Sequence, residues 1–293
     1  MTKKESSKKF ERVAVLAHDA QPAAVQEAKQ IVAFFQDTGI EAVYGNFQDQ
    51  ALRDGLSAGD FDLAVTLGGD GTVLRAGHLC APRDIPLLAI DMGRFGFLIE
   101  VDPEKWREML PRLTEGDYWF ERRMMLNVEL RRGEKIIHNS EALNEAMIGR
   151  GRVVRPVHLR ASLDGRFLTT YVADGLIIST ATGSTAYALA SGGPILPPEL
   201  RNILLLPVAP HLSVDRAIVL AEGASIRVEL QQGDEAVLSV DGQQPIDLLT
   251  GDMIDLRASE HSIRFLRFQE PGYFYQRLIS IMDNNPAAGK KKS

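Results

Sequence analysis

Cysteine is almost absent from this chain: Cys80 stands alone among 293 residues. One cysteine cannot close an intramolecular disulfide, which excludes a disulfide-stapled secreted scaffold. A cytoplasmic setting is expected, with Cys80 as a small buried apolar residue. Basic excess is lacking too. Lys and Arg number 33 against 39 Asp and Glu, a formal net charge of −6. Nucleic-acid binders usually carry a basic face, so no nucleic-acid partner is expected. No apolar run is long enough to span a bilayer, and no membrane partner is expected. The opening MTKKESSKKF has charge but no hydrophobic stretch of a secretory signal. Residues 1–11 read as a flexible arm and residues 284–293 as a flexible tail. No internal repeat occurs. The GxxxxGK[ST] phosphate loop is absent, and so is HExxH-type metal spacing among the histidines.

What is present changes character along the chain. Residues 13–17, 40–44, 63–67 and 87–90 are short apolar runs that read as strands. Between the first two, Pro22 opens a helix at a position where a missing N–H costs little. Val25, Ala28, Ile31, Val32 and Phe35 line one face of it, and Gly39 is placed to end it. A second helix is read over residues 72–79. Strands alternating with helices imply a parallel sheet. From residue 126 onward the text turns to strands and turns. Residues 127–130 and 135–137 flank a hairpin signal, and Asp164-Gly165 between residues 159–163 and 167–171 is a stronger one. Residues 226–230 and 237–240 flank another Gly-containing turn. Residues 273–282 have helical spacing. The expected architecture is an N-terminal Rossmann-like α/β domain over residues 12–118, completed by a helix at 270–283. A β-rich, β-sandwich-like domain over 119–269 follows, with a cleft between the two.

Three motifs carry chemistry. The sharpest is Leu67-Gly68-Gly69-Asp70-Gly71-Thr72 at the end of a strand, where open α/β sheets bind ligands. Glycines let the backbone approach phosphate, and the following helix start offers N–H groups to an anion. Gly68 and Gly69 are the candidate phosphate cradle. Asp70 is a candidate proton acceptor or magnesium ligand, a reading favoured over its alternative as a helix cap in a tight turn. The second motif runs from Asp174-Gly175 through Thr180-Ala181-Thr182-Gly183-Ser184-Thr185-Ala186-Tyr187 to Gly192-Gly193-Pro194. Its hydroxyls suit ribose and phosphate, and Tyr187 offers a face to a planar ring; the bland reading is a helix capped by Ser184 or Gly183 and stopped by glycine. The third is Asn144-Glu145, an amide beside a carboxylate that suits an adenine edge or ribose hydroxyls, or else a solvated turn. The tandem pairs Arg122-Arg123 and Arg131-Arg132 read as solvated faces.

Taken jointly, these motifs resemble bacterial-type NAD kinases over roughly residues 12 to 270. The matching text is GGDGT at 68–72, Gly96-Phe97-Leu98, ALNE at 142–145, ADG at 173–175, TGSTAY at 182–187, GGPI at 192–195, Pro210-His211 and Val240-Asp241-Gly242-Gln243. The resemblance implies transfer of the γ-phosphate of ATP to the adenosine ribose 2′-hydroxyl of NAD, giving NADP. Asp70 matches the catalytic aspartate. Gly71, Phe97, Asn144, Glu145, Asp174 and the run Thr185, Ala186, Tyr187, Ala188, Leu189 and Ala190 match dinucleotide-binding positions. Arg75 and Arg155 match basic positions, and Gln243 a glutamine at the nucleotide site. A divalent metal, Mg2+, ATP as donor and a homodimer or homotetramer are further implications. The departures are Ala181 where the family commonly has proline, Asp91 where asparagine is common, and the text of 209–216. Similar glycine turns occur in lipid kinases of the diacylglycerol and sphingosine type and in phosphofructokinases. A lipid kinase and a non-catalytic dinucleotide-binding protein are therefore the alternatives.

Overall fold

The computed structural model describes residues 10–18, 21–92, 96–211, 215–233 and 235–283. Of the arm expected over residues 1–11, residues 1–9 lie outside them, as do the tail at 284–293 and residues 212–214; Phe10 is no part of an arm, being 3% exposed in the core of the first unit. The chain divides into two compact units, residues 1–122 with 263–293, and residues 123–262.

In the first unit the order is β1 (Arg12–Ala17), α1 (Pro22–Asp37), β2 (Glu41–Gly45), α2 (Gln50–Ala58), β3 (Leu63–Leu67), α3 (Asp70–Cys80), β4 (Leu87–Ile90), α4 (Trp106–Met109) and α5 (Pro111–Glu115). The strands β2-β1-β3-β4 pair in parallel. All of β3 and β4, and β1 after Arg12, are buried residue by residue. Such unbroken apolar strands suit a parallel sheet covered on both faces. Pro22 sits in the first turn of α1, and Ala24, Ala28, Ile31 and Phe35 form its buried stripe. Asp49 caps α2 by accepting from Leu52 N–H, and Gly59 ends it at φ 87°. Cys80 is fully buried, and burial pushes its thiol up to about 12, so it behaves as an apolar side chain.

The second unit is built from β5 (Trp119–Arg132), β6 (Lys135–Ala142), β7 (Glu145–Gly149), β8 (Val157–Leu163), β9 (Arg166–Ala173), β10 (Gly175–Thr180), α6 (Tyr187–Ala190), β11 (Ile203–Val208), β12 (Ile218–Leu220), β13 (Ile226–Gln232), β14 (Val237–Val240), β15 (Ile246–Asp247) and β16 (Met253–Arg267). β5 and β16 each run past the division between the units. The end of β16 pairs with β4 in parallel at Phe265 and Leu87, and α7 (Tyr273–Asp283) follows it. The β8–β9 turn has Asp164 at φ 49° and Gly165 at φ 75°. Two positive φ values make the turn whose twist matches its flanking strands. One antiparallel layer runs β16-β13-β8-β9; the other runs β12-β11-β10-β7-β14-β15. Strand alternation turns Val128, Ile148, Leu159, Ile178, Leu205, Val228 and Leu238 inward, and they share one buried core.

Two expectations change. Residues 226–230 and 237–240 do not pair across their glycine turn. β13 pairs with β16 and β8, whereas β14 pairs with β7 and β15, so the connection passes from one layer to the other. Nor is Arg123 a solvated residue; it is 2% exposed. Arg132 keeps some exposure but is committed to both oxygens of Asp252, each at 2.8 Å.

Candidate active site

β3 ends at Leu67 and α3 begins at Asp70, with Gly69 as a cap that has no side chain to offer. Asp70 is therefore the first helical residue rather than the cap. Its carboxylate turns to another segment: Oδ2 accepts from Phe97 N–H at 2.9 Å, and Oδ1 from Leu98 N–H at 3.1 Å. Gly96 completes the fit, because a Cβ there would lie 2.6 Å from Asp70 Cγ. The glycines of the turn differ in cause. A Cβ on Gly68 would sit 2.7 Å from Thr72 Cβ, so packing alone demands glycine. A Cβ on Gly69 or Gly71 would meet nothing within 4 Å. Packing does not require glycine at those two positions, whereas close backbone approach to a ligand would. The start of α3 also leaves N–H groups without intrahelical acceptors.

The 96–98 segment is itself tied down within its unit. Leu98 C=O accepts from Arg267 Nη1 at 3.2 Å, and Gly96 C=O accepts from Arg277 Nε at 2.8 Å. Arg267 is fully buried between Glu121 and Glu100, at 2.8 and 3.1 Å. Tyr273 donates to the same Glu121 oxygen. Breaking such a buried group by removing one partner typically costs about 3–5 kcal/mol. Arg277 lies near enough for Arg267 to depress its pKa after burial, while Asp70 works the other way. Sequence reasoning missed both arginines, since nothing in their local text separates them from surface arginines. Phe97 packs on Phe274 of α7 with ring centroids 6.3 Å apart. Arg75, one turn into α3, is exposed.

In the second unit, Leu143-Asn144 forms the turn between β6 and β7 and Glu145 opens β7, so the Asn144-Glu145 motif is not a solvated turn. Asp241 accepts the N–H groups of Leu143, Asn144 and Glu145 at 2.7, 2.8 and 3.0 Å. From β10, Thr180 N–H and Ser179 Oγ donate to Asn144 C=O at 2.9 and 3.1 Å. Glu145 is 9% exposed, and its Oε2 has no hydrogen-bond partner. Burial first, and the charge of Asp241 second, raise its carboxyl to about 7. Gly183 is glycine because a Cβ there would lie 2.5 Å from the Asn144 carbonyl carbon. Thus the TGS and NE motifs are one packed unit.

The remaining positions divide by exposure. Ser184 does not cap a helix; it donates to Ala181 C=O at 2.7 Å and accepts from Leu196 N–H at 2.9 Å. Residues 183–185 form a single 3-10 turn and α6 is one short turn. Tyr187 and Leu189 are exposed, Thr185 and Ala186 half-buried, Ala190 exposed, and Ala188 fully buried in the core. Asp174 is paired with Arg150 at 3.1 Å. The adjoining Gly175 faces Gly149 across the β10–β7 pair, where a Cβ would lie 2.7 Å from Ile148 C=O. Gln243 is exposed, with its N–H bonded to Val240 C=O, and Arg155 is exposed.

A carboxylate fixed at a phosphate-type glycine turn suits a phosphotransferase, and relatives agree. The ATP-NAD kinase N-terminal domain model matches residues 52–118, and the ATP-NAD kinase C-terminal domain model matches residues 143–268. NAD kinase of Chloroflexus aurantiacus is 38% identical over 271 residues, covering 92% of this chain and 98% of that protein. NAD kinase of Citrifermentans bemidjiense is 36% identical over 276 residues, covering 90% and 96%. Among solved structures, an NAD kinase from Archaeoglobus fulgidus in complex with ATP aligns with TM-score 0.73 and 26% identity, over 92% of this chain and 97% of that one. Yeast NADH kinase complexed with NADH has TM-score 0.83 over 95% and 89%; at 24% identity it speaks to the fold. The protein is a phosphotransferase with an α/β domain followed by a β-rich domain. The chain belongs to the NAD kinase family.

Proposed function

We propose that this chain transfers the γ-phosphoryl group of ATP to the 2′-hydroxyl of the adenosine ribose of NAD, with Asp70 as proton acceptor. The observation that carries this role is the fixation of Asp70 by Phe97 and Leu98 N–H beside two glycines that packing does not require. Phosphoryl transfer asks the protein for alignment and charge stabilisation more than for covalent chemistry. The ribose 2′-oxygen attacks the γ-phosphorus as its proton passes to the Asp70 carboxylate. The bond from the γ-phosphorus to the bridging oxygen breaks, and ADP leaves with that electron pair. Gly68, Gly69 and Gly71 cradle phosphate through the backbone, with Arg75 as a nearby cation. Asn144 and Glu145 hold NAD by hydrogen bonds, Phe97 and Tyr187 by their rings. Thr185, Ala186, Ala188, Leu189 and Ala190 contribute the surface and backbone of the TGSTAY segment. Asp174, Arg155 and Gln243 add polar contacts.

Among the described residues, no group of three or more His, Cys, Asp or Glu is placed to hold a metal. These residues do not form a resident metal cage, and magnesium belongs to the donor as Mg·ATP. The same family resemblance supports a homodimer or homotetramer, which light scattering on the purified protein checks. A single buried cysteine fits a cytoplasmic setting. The assay that tests the activity offers Mg·ATP with NAD, diacylglycerol or fructose 6-phosphate in parallel. Phosphorylation of NAD alone is expected. Turnover of either other acceptor with NAD left untouched overturns the proposal.

A further inference from the structure

We propose that Asp241 is a positioning residue for NAD recognition: its carboxylate gathers three consecutive backbone N–H groups and fixes the turn that presents Asn144 and Glu145 to the dinucleotide. The inference rests on the NAD-binding role given above to that turn. Asp241 takes the N–H groups of Leu143, Asn144 and Glu145, and its own N–H donates to Glu145 C=O at 2.9 Å. Thr180 Oγ1 donates to Leu143 C=O, and Ser179 Oγ and Thr180 N–H donate to Asn144 C=O. Every backbone donor and acceptor of residues 143–145 is thereby engaged inside the protein. Recognition at this turn falls to side chains: the half-buried Asn144 amide, and Glu145 Oε2, which is buried and without a hydrogen-bond partner. A buried polar atom of that kind calls for an explanation, and a ligand hydroxyl supplies one.

The backbone at Asp241 supports the assignment. Asp241 lies at φ 49° and is followed by Gly242 at φ 65°. A non-glycine residue in this left-handed region is uncommon, although Asp tolerates it better than most. Glycine would suit that conformation with less strain; what it cannot supply is the carboxylate. Asp241 follows β14 and donates its N–H to Glu145 C=O, and β10 brings the uncharged Ser179 opposite Glu145. Asp241 is the charge that acts on Glu145. Its negative charge favours the protonated form of Glu145, which can donate as well as accept a hydrogen bond.

The test uses the full-length enzyme with Asp241→Asn, Asp241→Ser and Glu145→Gln, measuring KM for NAD, KM for ATP, kcat and melting temperature from pH 5.5 to 8.5 (roughly one and a half units either side of Glu145's transition). An amide offers one acceptor oxygen where the carboxylate offers two. In Asp241→Asn, KM for NAD is expected to rise about 10-fold, one hydrogen-bond partner's worth, with kcat falling less and KM for ATP held. The pH at which KM for NAD changes is expected to move down, because Glu145 loses its negative neighbour. Asp241→Ser, which keeps a single acceptor, reads the same quantities if the Asn variant does not fold. A lowered melting temperature with an unmoved pH profile and an unmoved KM for NAD makes Asp241 merely structural and overturns the inference. The Glu145→Gln variant separates the two layers. If it alters KM for NAD while the Asp241 variants do not, this inference alone fails. If it too leaves KM for NAD unchanged at every pH, the NAD-binding role of the turn fails with it.

Discussion

Asp70 opens a helix and Glu145 opens a strand, and backbone N–H groups treat the two carboxylates in opposite ways. In the first unit the N–H groups of Phe97 and Leu98 go to Asp70 itself, one to each oxygen. In the second unit three N–H groups go to Asp241, and Glu145 is left with a buried oxygen that has no partner. The first arrangement holds a carboxylate still in a stated orientation. The second spends its hydrogen bonds on the backbone and leaves the carboxyl to titrate near neutrality. Orientation suits the proton-acceptor role proposed for Asp70, which must meet one hydroxyl in line with a phosphorus. A buried, unpartnered oxygen suits the ligand contact proposed for Glu145.

The largest effect expected from breaking this contrast is at Asp70. Asp70→Asn keeps the shape, loses the proton acceptor and sets an amide against the N–H groups of Phe97 and Leu98. Loss of a general base costs about 10²–10⁴-fold. Steady-state kinetics should show that loss in kcat, while calorimetry shows NAD binding retained; near-normal kcat removes the assigned role. Gly96→Ala attacks orientation alone. The new Cβ would lie 2.6 Å from Asp70 Cγ, so the carboxylate must shift. A displacement of about 1 Å lowers kcat on the order of 10²-fold, with melting temperature as the control for folding.

Glu145→Gln tests the other side of the contrast through stability. The folded carboxyl sits at about 7, above the ordinary 4.5. Between those values the folded state keeps a proton that the unfolded state has lost. Wild-type stability therefore falls as pH rises from 4.5 through 7, and the fall is complete above 7. Glutamine cannot titrate, so the variant is expected to lose that slope. Urea titrations at pH 5 and pH 8 should differ between wild type and variant by about 2 kcal/mol in their pH dependence; parallel slopes contradict the buried, titrating Glu145. Asn144→Ala and Tyr187→Ala should each weaken NAD binding by about 1–3 kcal/mol with little change in melting. Unchanged calorimetric affinity in both removes the site assignment. The smallest effect has the most telling sign. Gly71 has open space around it and lies inside a helix. Gly71→Ala should stabilise the fold by up to about 1 kcal/mol while raising KM for ATP. A raised melting temperature with unaltered ATP kinetics would remove the phosphate from that turn.

The α/β part of the fold was legible because its signals are local. Continuous apolar runs marked β1, β3 and β4, and Pro22 and Gly39 bracketed α1. The β8–β9 hairpin announced itself through Asp164-Gly165. The connection from β13 to β14 did not, because a glycine between two apolar runs reads the same whether the runs pair or join different layers. Motif text located Asp70, Asn144 and Glu145, but it could not show which glycines serve packing. Gly68, Gly96, Gly175 and Gly183 are dictated by neighbouring atoms, whereas Gly69 and Gly71 are not. Partners distant in sequence were likewise hidden. Arg267 reaches Leu98 across 169 positions and Arg277 reaches Gly96 across 181, so no window of text joins them. Arg123 was misread because a charged pair on a strand looks solvated until its alternation places one member inside.

The central claim is the position of the new phosphate. Purified protein incubated with Mg·ATP and NAD, its product examined by phosphorus NMR and offered to a strictly NADP-dependent dehydrogenase, reads that position directly. NAD carries four ribose hydroxyls of similar intrinsic reactivity, so choice among them must come from placement. The account predicts a single phosphate on the 2′-oxygen of the adenosine ribose, a product the dehydrogenase uses, formed about 10²–10⁴-fold more slowly by Asp70→Asn. A 3′-phosphate, a phosphate on the nicotinamide ribose, or equal yield from the Asp70→Asn enzyme would contradict it.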